Sequence, residues 1–129
     1  MTHPNEDLAR GASEALAKGD METFLDFHSD DVVVRVQGRN PSAGEFRGRE
    51  EILRSAEQLT SLLDEPPTWE THDVMAGDDH AIVLGTQRFV RGGKTLEDHQ
   101  VVIAHIREGK ANEIWVCSTD PYAVDEFFA

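Results

Sequence analysis

Acid, base and hydroxyl side chains are concentrated in one stretch near the C-terminus, EDHQVVIAHIREGKANEIWVCSTD, at positions 97–120. Its apolar residues alternate on both sides of a tight turn at Glu108-Gly109, which predicts a β-hairpin. Counting outward from that turn sets His99 opposite Ser118 and diagonal to Asp120, and residues opposite each other share one face of a sheet. An imidazole, a hydroxyl and a carboxylate should therefore meet at the end of the hairpin away from the turn.

These three groups predict general acid–base chemistry. A carboxylate beside an imidazole orients the ring and favours its protonated form, and such a pair can move a proton at an enolisable carbon. We assign Asp120 as the acid or base and His99 as its partner, with Ser118 in the adjoining binding surface. The same pattern also fits a solvated strand end without chemistry. A β-bulge or a slip of one residue would turn the other face of the hairpin inward.

Other side chains could complete a pocket around these groups. His28 follows a short predicted helix, where the helix C-terminus alone would also favour a histidine. Arg88 interrupts the apolar strand AIVLGTQRFV and could hold a substrate carboxylate or enolate oxygen, although an arginine at a strand end often lies in water. Trp69, Trp115 and Tyr122 could form aromatic walls, and core packing or a subunit contact explains Trp115 equally well.

The elements that must position these side chains are three helices and five strands. Apolar residues at helical spacing predict a first helix that Gly19 ends, a second that Asp20 caps, and a third in REEILRSAEQLTSLL. The run DDVVVRVQG is predicted as a strand and GRNPSAGEFRG as a loop. Four strands follow, at TWETHDVMA, HAIVLGTQRFV, Lys94–Arg107 and Lys110–Thr119, and Pro121 prevents further ladder bonds. Short turns make these four strands an antiparallel meander with helices on one face, which is an α+β fold.

Length and composition limit the possible functions. The chain has 129 residues, so a single domain over residues 1–129 is predicted, long enough to enclose a core and a cavity. A net charge of -13 argues against nucleic acid and anionic membranes as partners. The single cysteine, Cys117, and the lack of a signal peptide or a long apolar run favour a cytoplasmic protein. No HxH or HxxxH pair and no glycine-rich phosphate loop occur, so neither a metal nor a cofactor is predicted.

Four segments of the chain, KGDMETFLDFHSDDVVV, GEFRGREEI, HIREGKANEIW and TDPYAVDEFF, together resemble the nuclear transport factor 2-like superfamily. The resemblance is to its SnoaL-like polyketide cyclase branch and covers most of the chain. It implies a cone in which a strongly curved antiparallel sheet wraps around three N-terminal helices and leaves a deep apolar pocket. It also implies a homodimer formed through the outer face of the sheet. This scaffold carries isomerases, dehydratases, epoxide hydrolases, cyclases and non-catalytic binding proteins, so the fold alone does not fix the function.

The catalytic positions of two activities on this scaffold are not filled here. In ketosteroid isomerases the general base on the first strand corresponds to about Val36, the tyrosine of the oxyanion hole to about Ala12, and the second donor to Val101 or Val102. These side chains cannot do that chemistry, so Val36 is assigned only to the substrate-binding wall. His28 stands where those enzymes carry a tyrosine of the active-site hydrogen-bond network. The segment QRFVR has the arginine of the limonene-epoxide hydrolases without their aspartate.

Together these observations predict a protein that binds a small hydrophobic molecule and performs acid–base catalysis of the cyclase, isomerase or dehydratase kind. As an enzyme it would be an isomerase or lyase that needs no cofactor. The alternative is a non-catalytic ligand-binding or dimerisation module of the same fold. The residues do not name the substrate, nor do they decide which face of the hairpin lines the pocket if a bulge is present.

Overall fold

The structure is a computed structural model that describes residues 2–129. Its helices are α1 (Pro4–Ala17), α2 (Met21–Asp26), α3 (Gly48–Ser61) and α4 (Pro121–Phe128). Its strands are β1 (His28–Val36), β2 (Gly44–Arg47), β3 (Thr68–Ala76), β4 (His80–Arg91), β5 (Lys94–Arg107) and β6 (Lys110–Ser118). They form one six-stranded sheet in the order β2-β1-β6-β5-β4-β3. The predicted α+β fold, a curved sheet wrapped around N-terminal helices, is confirmed.

Three features differ from the prediction. The segment GEFR, predicted as part of a loop, forms the edge strand β2, which pairs antiparallel with β1. The sheet is not purely antiparallel, because β1 runs parallel to β6 and so joins the N-terminal half of the chain to the meander. The C-terminal segment forms the helix α4, which the sequence analysis did not predict.

The break between α1 and α2 is set by two residues that the sequence identified. Gly19 has a φ of +72°, a conformation in which a side chain would be strained. The carboxylate of Asp20 accepts hydrogen bonds from the backbone N–H and the hydroxyl of Thr23, at 3.1 and 2.7 Å. Asp20 is therefore the N-cap of α2, as predicted.

The register between β5 and β6 decides which side chains of the hairpin face the helices. Next to the turn the strands pair as predicted. Asn112 is then an extra residue in β6, and its side-chain oxygen lies 2.6 Å from Nδ1 of His105. Beyond this bulge the pairing moves by one position, so that Gln100 rather than His99 is opposite Ser118. The bulge therefore reverses the inward face of β5 relative to that of β6.

Gly85 in β4 lies directly against the indole ring of Trp69. A Cβ atom at position 85 would lie 2.4 Å from Cζ2 of Trp69 and 2.7 Å from the backbone oxygen of Glu70. We expect Gly85→Ala to lower the free energy of unfolding by about 1–3 kcal/mol, the usual cost of overpacking, in urea denaturation. Gly77→Ala is the matched control, because a Cβ there meets nothing within 4 Å and should change stability by less than about 0.5 kcal/mol. Equal losses in the two variants would contradict the steric explanation.

Candidate functional site

A cavity of about 390 Å³ lies between the concave face of the sheet and helices α1, α2 and α3. Side chains of α4 and of the loops that precede β2 and β3 also line it. Cavities of this size can hold a drug-sized molecule. Most of the wall is apolar, and it includes Ala12, Val36, Ile52, Trp69, Val102 and Ile114.

One end of the cavity carries a cluster of four polar side chains, which we call the Asp98 cluster: Asp98, Gln100, Gln87 and Ser118. Asp98 and Gln100 are two residues apart on β5 and so point to the same face of the sheet. Gln87 pairs with Asp98 from β4, and Ser118 pairs with Gln100 from β6. Three adjacent strands therefore hold the cluster, and only 6–7% of the Asp98 and Gln100 residue surfaces is exposed.

Hydrogen bonds fix the orientation of these four groups. The two oxygens of Asp98 accept from Nε2 of Gln100, at 2.8 Å, and from the hydroxyl of Ser118. Nε2 of Gln100 also donates to Oε1 of Gln87 at 2.9 Å, which uses both of its hydrogens. The hydroxyl of Ser118 accepts from the backbone N–H of Asp120 at 3.0 Å, so its own hydrogen is directed at Asp98.

Two features of the Asp98 cluster are available to a ligand. Nε2 of Gln87 makes no hydrogen bond within residues 2–129, so it is an unused donor beside the carboxylate. No lysine, arginine or histidine nitrogen in the described chain lies within 4 Å of the Asp98 carboxylate. The arrangement is a carboxylate without a neutralising cation next to a neutral donor, inside a largely apolar cavity. Such a pair can take a proton from a carbon acid and hold the oxygen on which negative charge develops.

His28 lies at the other end of the cavity, next to α2. Its Nδ1 donates to the backbone oxygen of Phe24 at 2.8 Å, and the two rings pack with their centroids 4.6 Å apart. Burial lowers the pKa of the His28 imidazole below its ordinary value of 6.5, and the positive charge of Lys110 acts in the same direction, while the bond to Phe24 opposes both. His28 is therefore neutral at pH 7, with its hydrogen on Nδ1.

Because the pKa of His28 is lowered in the folded protein, the stability of the protein should depend on pH. Between the lowered pKa and 6.5 the unfolded chain holds more protons at this residue than the folded chain does. The contribution of neutral His28 is thus present above pH 6.5 and is lost as the pH falls through its folded pKa. The free energy of unfolding should therefore fall as the pH falls through this range, by no more than about 1.4 kcal/mol per pH unit from this one residue. We expect His28→Phe to remove this part of the pH dependence. The measurement is urea unfolding between pH 5 and 7.5. His80→Gln, at an exposed histidine, is the control, and an unchanged slope in His28→Phe would contradict the prediction.

Four of the predicted site residues line the cavity. Ser118 belongs to the Asp98 cluster, and Val36, Trp69 and His28 lie in the wall. Trp69 offers only its ring, because its indole N–H donates to the hydroxyl of Thr71 at 2.8 Å. The binding roles assigned to these four residues stay predictions.

The predicted position of Asp120 in the pocket is wrong. Asp120 is exposed and forms the N-cap of α4, where its carboxylate accepts from the backbone N–H of Ala123 at 3.1 Å. The sequence DP is a usual start of a helix, with the capping carboxylate followed by proline in the first turn. Its side chain is thus occupied by the helix end, and it does not line the cavity.

The predicted position of His99 is also wrong, because the extra residue Asn112 in β6 shifts the pairing, so that Ser118 shares the inward face with Gln100 instead of His99. His99 lies on the convex face of the sheet and is exposed. Its Nδ1 is 2.8 Å from the hydroxyl of Thr86, which is 2.7 Å from Nε2 of His72. The diagonal pair of His99 and Asp120 expected from the hairpin does not form in the described chain.

Three further predicted pocket residues point away from the cavity. Arg88 forms an ion pair with Glu65, at 3.2 Å. Trp115 lies on the convex face, with the guanidinium of Arg35 6.0 Å from its ring centroid. Tyr122 is on the outside of α4 and is 82% exposed. The assignment of all three to the pocket was wrong for the same reason. Each residue belongs to a helix or strand whose inward face is set by contacts with elements far away in the sequence.

The sequence analysis missed Asp98, Gln100 and Gln87. A signal for Gln87 and Asp98 was present, because the turn at Gly92-Gly93 has a positive φ at both residues and sets the β4–β5 register without a bulge. Counting outward from that turn places Gln87 opposite Asp98. No comparable signal in the sequence located the bulge that brings Ser118 beside Gln100.

The described residues contain no group of three or more His, Cys, Asp or Glu side chains placed to hold a metal ion. Over the same part of the chain, no helix is both long enough and apolar enough to cross a membrane.

A curved six-stranded sheet around N-terminal helices, with the cavity on its concave side, defines a cone-fold protein of the nuclear transport factor 2-like type. Solved structures described as NTF2-like proteins share this fold. Residues 9–114 match the SnoaL-like domain, and the chain belongs to that family. The superfamily and branch predicted from the four sequence segments are thus confirmed.

Three known proteins are similar to this chain. An uncharacterized protein of Mycobacterium tuberculosis is 27% identical over 124 residues, which cover 95% of each chain. Bal32a, from a soil-derived mobile gene cassette, superposes with a TM-score of 0.89 at 24% identity, covering 98% of this chain and 97% of that one. IdmH from Streptomyces antibioticus, to which polyketide cyclase activity is ascribed, superposes with a TM-score of 0.73 at 19% identity, covering 98% and 99%. At these identities the two structures show the fold alone.

Proposed function

We propose that the protein binds a small, largely apolar ketone in the cavity and catalyses proton transfer at the carbon next to the carbonyl group. Asp98 is the proton acceptor, and Gln87 holds the carbonyl oxygen. The observation that supports this proposal is the buried Asp98 carboxylate beside the unused amide donor of Gln87. The polyketide cyclase activity ascribed to IdmH fits the same kind of chemistry.

The proposed reaction begins when an oxygen of Asp98 takes a proton from the carbon next to the carbonyl. The electrons of that C–H bond form the carbon–carbon double bond of an enolate, and negative charge develops on the oxygen held by Nε2 of Gln87. This donor stabilises the charge strongly because the cavity excludes most of the water around it. In D₂O the proton on Asp98 is replaced by a deuteron from solvent, which is then delivered to the same carbon. Otherwise Asp98 delivers the proton to a conjugated carbon, or the enolate carbon attacks a second carbonyl of the same molecule and the alkoxide that forms takes the proton from Asp98. These outcomes are exchange, isomerisation and aldol-type cyclisation.

Hydrogen–deuterium exchange of a simple ketone tests the proposal without knowledge of the natural substrate. The probe is 4-acetylbiphenyl, an apolar rod with an enolisable methyl ketone at one end. In D₂O the loss of its acetyl proton signal, followed by NMR, should be at least about 100-fold faster with the protein than with the same concentration of acetate. The acetate control separates a positioned carboxylate from a free one. Exchange no faster than with acetate would overturn the catalytic proposal.

Binding without exchange would favour the second candidate function, a non-catalytic ligand-binding module. The cavity supports that function as well, since its size and apolar wall suit a ligand whether or not Asp98 moves a proton. Isothermal titration with 4-acetylbiphenyl measures binding independently of exchange, so the two candidates give different results.

We propose in addition that a second copy of the chain covers the convex face of the sheet. The centre of that face carries half-buried apolar side chains on three adjacent strands: Ile82, Leu84, Val101, Ile103 and Trp115. A contiguous apolar surface of this kind is uncommon on a monomer and typical of a contact between subunits. Ile103 lies at its centre, paired with Ile82 on one side and Trp115 on the other.

Ile103→Asp should convert the proposed dimer into a monomer. The variant would bury a carboxylate between two copies of the apolar surface without a partner for the charge, which costs several kcal/mol. Sedimentation velocity measures the mass in solution. Thr95→Asp, at an exposed position near the start of β5, is the control and should leave the dimer intact. A wild-type protein that sediments as a monomer, or an Ile103→Asp variant that still sediments as a dimer, would contradict the proposal.

A further inference from the structure

The imidazole of His28 has an unused acceptor inside the cavity. Its Nδ1 carries the hydrogen that is donated to Phe24, so Nε2 is left with a lone pair. Only 7% of the His28 surface is exposed, and the residue lines the cavity. Nε2 makes no hydrogen bond within residues 2–129.

Nε2 of His28 is not sealed from solvent. Within the described residues, the one side-chain nitrogen or oxygen that is both sealed from solvent and without a hydrogen bond is Oγ of Ser29. Nε2 of His28 has no hydrogen bond and is not in that group, so it is not sealed from solvent, and the residue that carries it lines the cavity. A buried acceptor without a partner is costly, and a donor that enters the cavity can recover that cost.

His28 and the Asp98 cluster lie far apart along the sheet. His28 pairs with Ala111 near the start of β6, whereas Ser118 ends that strand. The seven residue steps from Ala111 to Ser118 measure at most about 23 Å along the strand. The gap between the polar groups is shorter, because Asn112 is an extra residue in β6, the sheet is curved, and the side chains reach inward from both ends. A ligand that contacts both ends must therefore be elongated, with a different polar group at each end and an apolar body between them.

We propose that His28 selects ligands with a hydroxyl group at the end opposite the reacting carbonyl. Nε2 accepts the hydroxyl hydrogen, while Gln87 and Asp98 engage the carbonyl end. The substrate class is thus an elongated, largely apolar hydroxyketone. This inference rests on the proposed function for the orientation of the ligand, and it adds the group that fixes the far end. Because the lowered pKa of His28 keeps the ring neutral, Nε2 stays an acceptor at pH 7.

Three matched probes test the inference by isothermal titration: 4-acetylbiphenyl, 4-acetyl-4′-hydroxybiphenyl and its 4′-methyl ether. The ether keeps the oxygen and adds bulk, but it cannot donate a hydrogen. We expect the hydroxyl compound to bind wild-type protein about tenfold more tightly than 4-acetylbiphenyl, and the ether to show no gain. In His28→Phe, which keeps a ring against Phe24, the hydroxyl compound and 4-acetylbiphenyl should bind equally. His80→Gln, at an exposed histidine that does not line the cavity, should preserve the preference.

The outcomes separate this inference from the proposed function. If 4-acetylbiphenyl binds and its acetyl protons exchange, but the hydroxyl brings no gain, then the inference fails and the proposed function stands. A tenfold preference without exchange supports the role of His28 in binding and overturns catalysis. A preference that survives in His28→Phe overturns the inference. Failure of all three probes to bind overturns both proposals.

A measurement on wild-type protein covers the case in which His28→Phe does not fold. The ¹⁵N chemical shifts of a histidine ring report which nitrogen carries the hydrogen and whether the other accepts a hydrogen bond. The Nε2 resonance of His28 should move when 4-acetyl-4′-hydroxybiphenyl is added and should stay in place with the ether. Equal shifts with the two ligands would contradict the inference.

Discussion

Asp98→Asn should slow the exchange of the acetyl protons of 4-acetylbiphenyl by at least about 100-fold, the usual contribution of a positioned general base. The amide of asparagine has nearly the shape of the carboxylate but cannot accept a proton at neutral pH. Binding of 4-acetylbiphenyl should change by less than about threefold, since the apolar wall is untouched. NMR for exchange and isothermal titration for binding give the two numbers separately.

The asparagine variant should fold, because the Asp98 cluster can adapt to it. The asparagine oxygen can still accept from Nε2 of Gln100, which now donates to one oxygen of Asp98 at 2.8 Å. The asparagine nitrogen then faces the hydroxyl of Ser118, which can rotate to accept instead of donating. Circular dichroism and the urea midpoint check this, so that a lost rate is not mistaken for a lost fold.

Asp120→Asn is the matched control, since it makes the same chemical change at the exposed N-cap of α4. It should leave exchange unchanged, because that carboxylate does not line the cavity. Ser118→Ala provides an intermediate case, as it removes one donor to Asp98 without removing the base. Exchange that survives in Asp98→Asn but is lost in Asp120→Asn would overturn the assignment made from the structure and restore the one made from the hairpin pattern.

The strands were the most predictable part of the molecule. The segment TWETHDVMA coincides with β3, and Lys94–Arg107 with β5. Their ends are marked by glycine-containing turns and by proline, and their interiors by β-branched and aromatic residues, which are local signals. The edge strand β2 has only four residues and no such run, and it exists because β1 offers a free edge. The sequence near Gly44 does not encode that neighbour.

The site was less predictable than the fold because one extra residue in β6 changes which residues of β5 share a face with Ser118. Asn112 forms a β-bulge, and its side chain contacts His105. No local sequence pattern predicts this bulge. The consequence is that the inward row of β5 holds Asp98 and Gln100 rather than His99. Successive side chains of a strand point to opposite faces of the sheet. An error of one residue in the register therefore assigns every side chain of the strand to the wrong face. The resemblance to a family could not correct this error, since it gave no register for the hairpin.

The C-terminal helix shows a different kind of error. Asp120 followed by Pro121 is a usual helix start, and Val124 and Phe128 are four residues apart on one helical face. We interpreted the aspartate as a catalytic group and the proline as the end of a strand. Eight residues are too few for helical periodicity to stand out, and such a short helix depends on tertiary packing for its stability.

Phe89→Ala should destabilise the protein by about 3–5 kcal/mol, the largest stability change that we predict. Phe89 is 1% exposed, and its ring packs against Phe128 of α4 with the centroids 5.5 Å apart. Val124 joins the same cluster from α4, and Leu59 and Leu63 contribute from α3 and the residues after it. Since small domains have only about 5–15 kcal/mol of stability in total, the urea midpoint should fall by a large fraction.

The loss of stability in Phe89→Ala measures how much the packing of α4 against the sheet contributes to the free energy of unfolding. Phe127→Ala is the control, because the same ring is removed from a half-buried position of the same cluster, 6.3 Å from Phe89, and it should cost clearly less. Native-state hydrogen exchange adds the location of the effect, since loss of the anchoring ring should lower amide protection in α4 before it lowers protection in β4 and β5. Because Phe89 and Val124 both line the cavity, a detached α4 would also open the wall next to the Asp98 cluster. Equal costs for Phe89→Ala and Phe127→Ala, with protection in α4 unchanged, would contradict the view that this helix is held by Phe89 and closes the cavity there.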